Sequence, residues 1–417
     1  MHCSYKKMAS YSLLICVSLL TACGFNQRHD ATTLHINNAS TQQAANQDWP
    51  SFGRDYANKR FSENTQINRS NIQKLSTAWE FKSGIKSTFQ ATPIVVGGVM
   101  YVSLPFNHVV ALDAKTGKEI WRYKHDRRQD WNMCCGPANR GVAVGYGKVF
   151  IGTVDARLIA LDAKSGKKLW DIDAVDAAVI TEGQDSLNKN DPNSHAKTTG
   201  GTGVGMAMAP VVYNGKVIIG ITGVGYGLHI DNPREDAPLG AVIGVTGRYG
   251  RPGFLAAFDV NTGKRVWQFD TIPEQGWEGS FKETISGGIS LNRDVQAEKA
   301  SLAKYPDSSR FGGGSAWSTP AIDTELGLLY FGTGNPSPQM NDVSRPGDNL
   351  YTVSLVALDA NTGKLRWYYQ QMPHDVWGYD LASPPILFNY QYQGKSISAV
   401  GQAKVRSAPK LLEFMTQ

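Results

Sequence analysis

The 417-residue chain carries 42 basic and 36 acidic residues, a formal net charge of +6, with the basic side chains interspersed among acids. That distribution is the mark of a solvated surface and argues against nucleic-acid binding. With 43 glycines, 10 tryptophans, 17 tyrosines and many short Val/Ile/Leu runs, but no long apolar helical stripe, the composition points to an all-β protein.

Residues 1–22 read as a targeting segment. Lys6 and Lys7 supply a short basic region, and residues 11–20 (YSLLICVSLL) are apolar but too few to form a stable span. The run ends in Leu20-Thr21-Ala22-Cys23, which resembles a bacterial lipobox: cleavage before Cys23 and lipidation of its thiol are expected, with an ordinary secretory signal cut nearby as the alternative. Residues 23–47 are polar, nearly free of core residues, and expected to be a flexible tether. The mature protein is then expected in the periplasm, an oxidising compartment, held to a membrane by lipid. Cys3 and Cys16 leave with the signal and Cys23 becomes the anchor, so Cys134 and Cys135 remain in the folded part.

From residue 48 the chain repeats. The segment at 111–121 (ALDAKTGKEIW) recurs at 160–170 (ALDAKSGKKLW), 257–267 (AFDVNTGKRVW) and 357–367 (ALDANTGKLRW). Each copy reads as strand, tight turn with a positive-φ glycine, strand. Before each copy lies a hydrophobic hairpin, at 92–103, 141–153, 209–222 and 319–334. Two hairpins per unit make a four-stranded antiparallel blade, and blades joined radially make a β-propeller. Trp121, Trp170, Trp267 and Trp367 recur in phase and are expected to pack between blades. Residues 171–200, 228–247 and 271–310 are insertions of the kind that shape a site on one face. Four to five blades fit between residue 48 and Gln417, and the last stretch loses the pattern, so a C-terminally truncated product is expected.

Four strings appear in order: adjacent Cys134-Cys135 with Asn139-Arg140-Gly141, then GGGSAW (312–317), GTGNPSP (332–338) and RPGDNLYT (345–352). Together with the blades, from residue 48 to about 395, they resemble the pyrroloquinoline-quinone (PQQ)-dependent alcohol dehydrogenases of the methanol/ethanol type. The resemblance implies an eight-bladed ring and PQQ-dependent oxidation of a small alcohol to an aldehyde. It also implies a Cys134–Cys135 disulfide forming a rigid plate against one face of the quinone, and Trp317 stacked on the other. Arg140 is implied to pair with the cofactor's carboxylates, with Thr153, Ser315 and Gln90 as hydrogen-bonding neighbours. Asn335 and Asp348 are implied to hold a hard cation, usually Ca²⁺, with Asp348 also the catalytic base. No CxxCH haem motif is present, so an external electron acceptor, cytochrome c or quinone, is expected.

Three positions depart from the family pattern. The third metal ligand, a glutamate, aligns with Gly225 or Arg248, neither of which ligates calcium; Asp231, Glu235 and Asp236 lie between them. A cofactor-contacting glutamate is replaced by Gln90. The cation expected from the fifth blade has two out-of-phase candidates, Lys404 and Arg406. Two other readings stay open: a non-catalytic propeller lipoprotein of the outer-membrane barrel-assembly type, and a family member that binds cofactor without turnover.

Overall fold

The computed structural model describes residues 48–127, 137, 139–175, 205–222, 251–339, 342–381 and 383–403, and the backbone of three short strands at 229–230, 241–242 and 413–416. Cys23, Cys134, Cys135, Gly225, Arg248, Asp231, Glu235, Asp236, Lys404 and Arg406 lie outside the described residues, as does the targeting segment.

Each repeat folds as the alternation of its residues dictates. The first sheet runs β1 (Ile94–Val96), β2 (Val99–Ser103), β3 (Val109–Asp113), β4 (Glu119–Tyr123), in that spatial order and antiparallel throughout. The second is β5 (Ala143–Gly145), β6 (Lys148–Gly152), β7 (Arg157–Asp162), β8 (Lys168–Asp173). The third combines β9 (Val211–Tyr213) and β10 (Lys216–Gly220) with β13 (Phe254–Asp259) and β14 (Arg265–Asp270). Between its halves lies the two-stranded β11 (His229–Ile230) and β12 (Ala241–Val242). A second small ribbon, β15 (Thr284–Ile285) and β16 (Ile289–Ser290), and a one-helix insertion, α1 (Val295–Ser301), precede the fourth sheet. That sheet is β17 (Ala321–Asp323), β18 (Leu328–Gly332), β19 (Ser354–Asp359), β20 (Leu365–Gln370). A three-stranded sheet, β21 (Ile386–Tyr392), β22 (Lys395–Gln402), β23 (Glu413–Thr416), closes the series. The four hairpin pairs read from the sequence are therefore four complete blades, with part of a fifth.

The turn between third and fourth strands is built the same way each time. Asp113 Oδ1 accepts from the N–H (2.8 Å) and hydroxyl (2.7 Å) of Thr116; Asp162 does so with Ser165, Asp259 with Thr262 and Asp359 with Thr362. The glycine that follows is left-handed, at φ +71° for Gly117 and +70° for Gly166. Its missing Cβ has a second use. The Trp121 ring lies over Gly166 of the next blade, Trp170 over Gly263 and Trp267 over Gly363. Trp121 Nε1 also donates to Ala163 O (3.0 Å) and Trp170 Nε1 to Val260 O (3.2 Å). Trp121, Trp170 and Trp267 thus join blades, as their phase implies. Trp79 extends the series: its ring lies over Gly117 and its Nε1 donates to Ala114 O (3.3 Å). A search keyed on the Asp-x-x-Thr-Gly turn passes over Trp79 because no such turn precedes it.

A strap at 48–60 crosses the first strands of several blades. Trp49 bridges Val95, Tyr56 Oη donates to Val212 O (2.8 Å), and Leu387 N donates to Ala57 O (2.9 Å). The Asn58 amide donates to both Thr319 O (3.3 Å) and Pro385 O (3.1 Å). The interior between blades is apolar: Phe150, Leu158, Val217, Ile218, Ile219, Leu255 and Phe331 sit in one continuous cluster.

The indole–glycine contact is open to a direct test. A Cβ at Gly166 meets Trp121 Cε3 at 2.5 Å, whereas at Gly215, with φ +71°, it meets nothing within 4 Å. Gly215→Ala is expected to cost about 1 kcal/mol from backbone strain alone. Gly166→Ala is expected to cost about 3 kcal/mol, because overpacking adds to that strain. Denaturant titration of the two variants measures the difference.

Candidate active site

Antiparallel order puts the end of every second strand and the start of every first strand on one face of the arc. Residues following β6 and β18, and those preceding β5, β17 and β21, therefore meet there. Arg140 precedes β5, Ser315 and Trp317 precede β17, Asn335 follows β18, and Asp380 precedes β21.

These side chains form one cluster. The Arg140 guanidinium lies 4.4 Å from the centroid of the Trp317 ring. Its backbone is pinned from both sides: Arg140 N donates to Ala207 O (3.0 Å), and Thr92 N donates to Arg140 O (2.9 Å). Gln90 is exposed and lies two residues before Thr92 in the chain. Asp380 Oδ1 accepts from Asn335 N (2.8 Å), leaving its second oxygen without a partner among the described residues. Gly334 makes this approach possible, since a Cβ there would stand 2.8 Å from Asp380 Oδ1; its N–H donates to Ser315 O (2.8 Å). Asn335 Oδ1 accepts from the Gln339 amide (3.3 Å). Burial pushes the Asp380 carboxyl up to about 6; the Asn335 N–H opposes the rise, Asp375 adds to it and Arg140 opposes it. Burial likewise draws the Arg140 guanidinium down, with Asp380 acting against it. Among the described residues no three His, Cys, Asp or Glu side chains gather as a metal cluster.

Two of the residues singled out from the sequence do other work. Asp348 is fully buried, and its carboxylate is spent: Oδ2 accepts from Ser280 N (2.9 Å) and the Ser280 hydroxyl (3.3 Å), while Oδ1 accepts from Lys282 N (2.8 Å) and Arg293 Nη1 (2.7 Å). A carboxylate with four donors, one of them a guanidinium, is neither a base nor an available ligand; it anchors the insertion carrying α1. The assignment of Asp348 as base and ligand is therefore corrected, and the carboxylate beside Asn335 is Asp380. Thr153 is also corrected. It is fully buried, its hydroxyl donates to Asp155 Oδ1 (2.6 Å) and accepts from Arg157 N (2.9 Å), and Asp155 in turn bonds His125 Nε2 (2.8 Å). No donor remains on Thr153 for a cofactor. Ser315, Trp317, Arg140 and Asn335 lie on the same face.

The residues on this face fit a flat, polyanionic heterocycle with one hard cation. The Arg140 guanidinium over the Trp317 ring is a cation suited to carboxylates. Asp380 keeps one oxygen free of a donor and Asn335 Oδ1 carries a single long bond from Gln339 (3.3 Å), so both are hard oxygens open to a cation.

The ion-pair network around Asp348 sets a stability prediction. Burial works to raise the Glu298 carboxyl, but bonds from Arg293 (2.6 Å) and Gly347 N (2.9 Å), with His374 nearby, hold it below its ordinary 4.5. A lowered carboxyl contributes stability above the unfolded value and loses it as pH falls through the folded one. The stability gap between the parent and Glu298→Gln is therefore expected to be full near neutral pH and to close below about 4.5, read by urea melts across pH. Asp348→Asn, which breaks a buried pair, is expected to cost about 3 kcal/mol at neutral pH.

Comparison with known proteins identifies the fold family. Residues 49–407 match the PQQ family described as glucose/ethanol/alcohol dehydrogenase, beta-propeller domain. The chain is 36% identical over 377 residues to a quinohemoprotein alcohol dehydrogenase of Comamonas testosteroni, covering 88% of this chain and 44% of that protein. It is 34% identical to a lanthanide-dependent methanol dehydrogenase of Methylorubrum extorquens, covering 82% and 49%. Among solved structures it superposes on the Comamonas testosteroni enzyme with a TM-score of 0.65 at 33% identity (88% and 47% covered). It superposes on a europium-containing methanol dehydrogenase at 0.64 and 30% (86% and 54% covered). The chain thus spans about half the length of the curated relatives it matches. With the blades, their indole–glycine joints and this match over most of its length, the chain belongs to the PQQ-type β-propeller family of glucose/ethanol/alcohol dehydrogenases.

Proposed function

We propose that this chain supplies the quinone-binding arc of a PQQ-dependent alcohol dehydrogenase that oxidises an alcohol to an aldehyde and passes electrons to an external acceptor, cytochrome c or quinone. The observation that carries this reading is the convergence of Arg140, Trp317, Asn335 and Asp380 on one face of the blades. Relatives named as quinoprotein and lanthanide-dependent dehydrogenases support it. Bound PQQ would supply the two-electron acceptor that takes hydride from the alcohol carbon. Trp317 would stack on the flat ring and Arg140 would pair with its carboxylates, with Ser315 and Gln90 as hydrogen-bonding neighbours. A Cys134–Cys135 disulfide would cover the opposite face. Asn335 and the free oxygen of Asp380 offer ligands to a hard cation, Ca²⁺ or a lanthanide, and Asp380 is placed to take the hydroxyl proton. The Asn335 N–H fixes which oxygen stays free. Export through residues 1–22 and lipidation at Cys23 would hold the protein in the periplasm.

Reconstitution tests the reading. The chain expressed in a periplasm and incubated with PQQ and Ca²⁺ or a lanthanide is expected to retain the quinone absorbance and reduce dye with alcohol. Asp380→Asn is expected to keep the chromophore and the fold while losing about 100-fold or more in turnover. Asp348→Asn is expected to lose stability first. A protein that never retains the chromophore overturns the reading. Cys134→Ser and Cys135→Ser are expected to weaken quinone retention, and Cys23→Ala to abolish incorporation of labelled fatty acid.

A further inference from the structure

Arg345 is fully buried, and among the described residues no carboxylate lies within ion-pair distance of it. Its bonds run instead to backbone carbonyls and one amide. Nε donates to Pro338 O (2.7 Å), Nη2 to Gln339 O (3.1 Å) and Asp375 O (2.6 Å), and Nη1 to Asn349 Oδ1 (2.6 Å). These acceptors belong to three separate segments: the one leaving β18, the one entering β19 and the one leaving β20. Two of those segments carry the site. Gln339 donates to Asn335 Oδ1 (3.3 Å). The Asp375 carboxylate accepts from Trp377 N (3.0 Å) and Tyr379 N (2.7 Å), forming the turn that delivers Asp380 onto the Asn335 N–H.

We propose that Arg345 is the positioning residue of the candidate site, the planar fork that sets the Asn335 and Asp380 oxygens relative to each other. Burying a guanidinium without a carboxylate contact is unfavourable, and apolar residues of similar volume usually fill such space at lower cost. What an apolar side chain cannot do is hold carbonyls of two loops in fixed directions at once. Lysine has the charge but lacks the rigid fork. The burial is therefore explained by geometry imposed on the loops, and the loops are those that carry the oxygen donors. Arg345 touches neither Asn335 nor Asp380 directly; it acts through Gln339 and Asp375.

The inference rests on the oxygen pair being a cation site, and Tb³⁺ luminescence sensitised through indole separates the two. The full chain without quinone is titrated with Tb³⁺. The parent is expected to give saturable emission that Asp380→Asn abolishes. Arg345→Lys is expected to weaken Tb³⁺ about tenfold or more, the usual effect of removing a group that orients ligands. Val217→Ala, which thins the core of the third blade remote from these loops, is the control for general destabilisation and is expected to leave affinity within about twofold of the parent. Should Arg345→Lys not fold, judged by circular dichroism, Asp375→Asn loosens the same turn and is expected to weaken Tb³⁺ as well. Unchanged affinity in the folded Arg345 or Asp375 variant overturns the positioning role while the cation site stands. Equal weakening by Val217→Ala shows a merely structural role and also overturns it. Parent emission that is absent, or indifferent to Asp380→Asn, overturns the cation site and the inference with it.

Discussion

An indole laid flat on a glycine that has no Cβ sets the spacing from one blade to the next. At Gly117, Gly166 and Gly363 a hypothetical Cβ would stand 2.4–2.6 Å from the ring of the preceding blade's tryptophan. No other residue permits so close an approach, and the same glycine must also be left-handed to close its own turn. One residue thus satisfies two demands, the turn within a blade and the joint between blades. Because the joints repeat, the first-strand entries and second-strand exits fall on one face, which is where the candidate site forms.

The charges divide between two kinds of work. Arg293, Asp348 and Glu298 form a closed network that ties α1 and the preceding ribbon to the loop before β19. Every oxygen of Asp348 is engaged, so its charge is neutralised locally and has nothing left for chemistry. Asp380 is the opposite case. It has a single backbone donor on one oxygen, an open second oxygen and a carboxyl raised by burial. Perturbation with an unspent lone pair separates a group held ready for chemistry from one that holds the chain together.

The all-β class, the four hairpin pairs and the phase of the repeat tryptophans were legible in the chain, because turn chemistry and alternation are local. Arg140, Ser315, Trp317 and Asn335 were legible through short strings whose backbone context is also local. Asp348 was misplaced because Pro-Gly-Asp-Asn looks the same whether its carboxylate faces a cavity or a buried arginine, and Arg293 lies 55 residues away. Thr153 failed for a related reason: its acceptor Asp155 is only two residues on, but the burial that makes the bond obligatory comes from other blades. Asp380 gave no local signal at all. Its approach to the Asn335 N–H depends on Gly334 leaving room, and both lie 45 residues or more from Asp380 in the chain.

By itself the amino-acid order determined how each blade is built, since a strand's pairing and a turn's φ follow from residues within a few positions of one another. It also determined which side chains lie at blade ends, because strand direction alternates regularly. Only the tertiary structure decided which of two aspartates carries an available oxygen. That choice is set by desolvation and by donors arriving from distant segments, and neither is a property of any short stretch of chain.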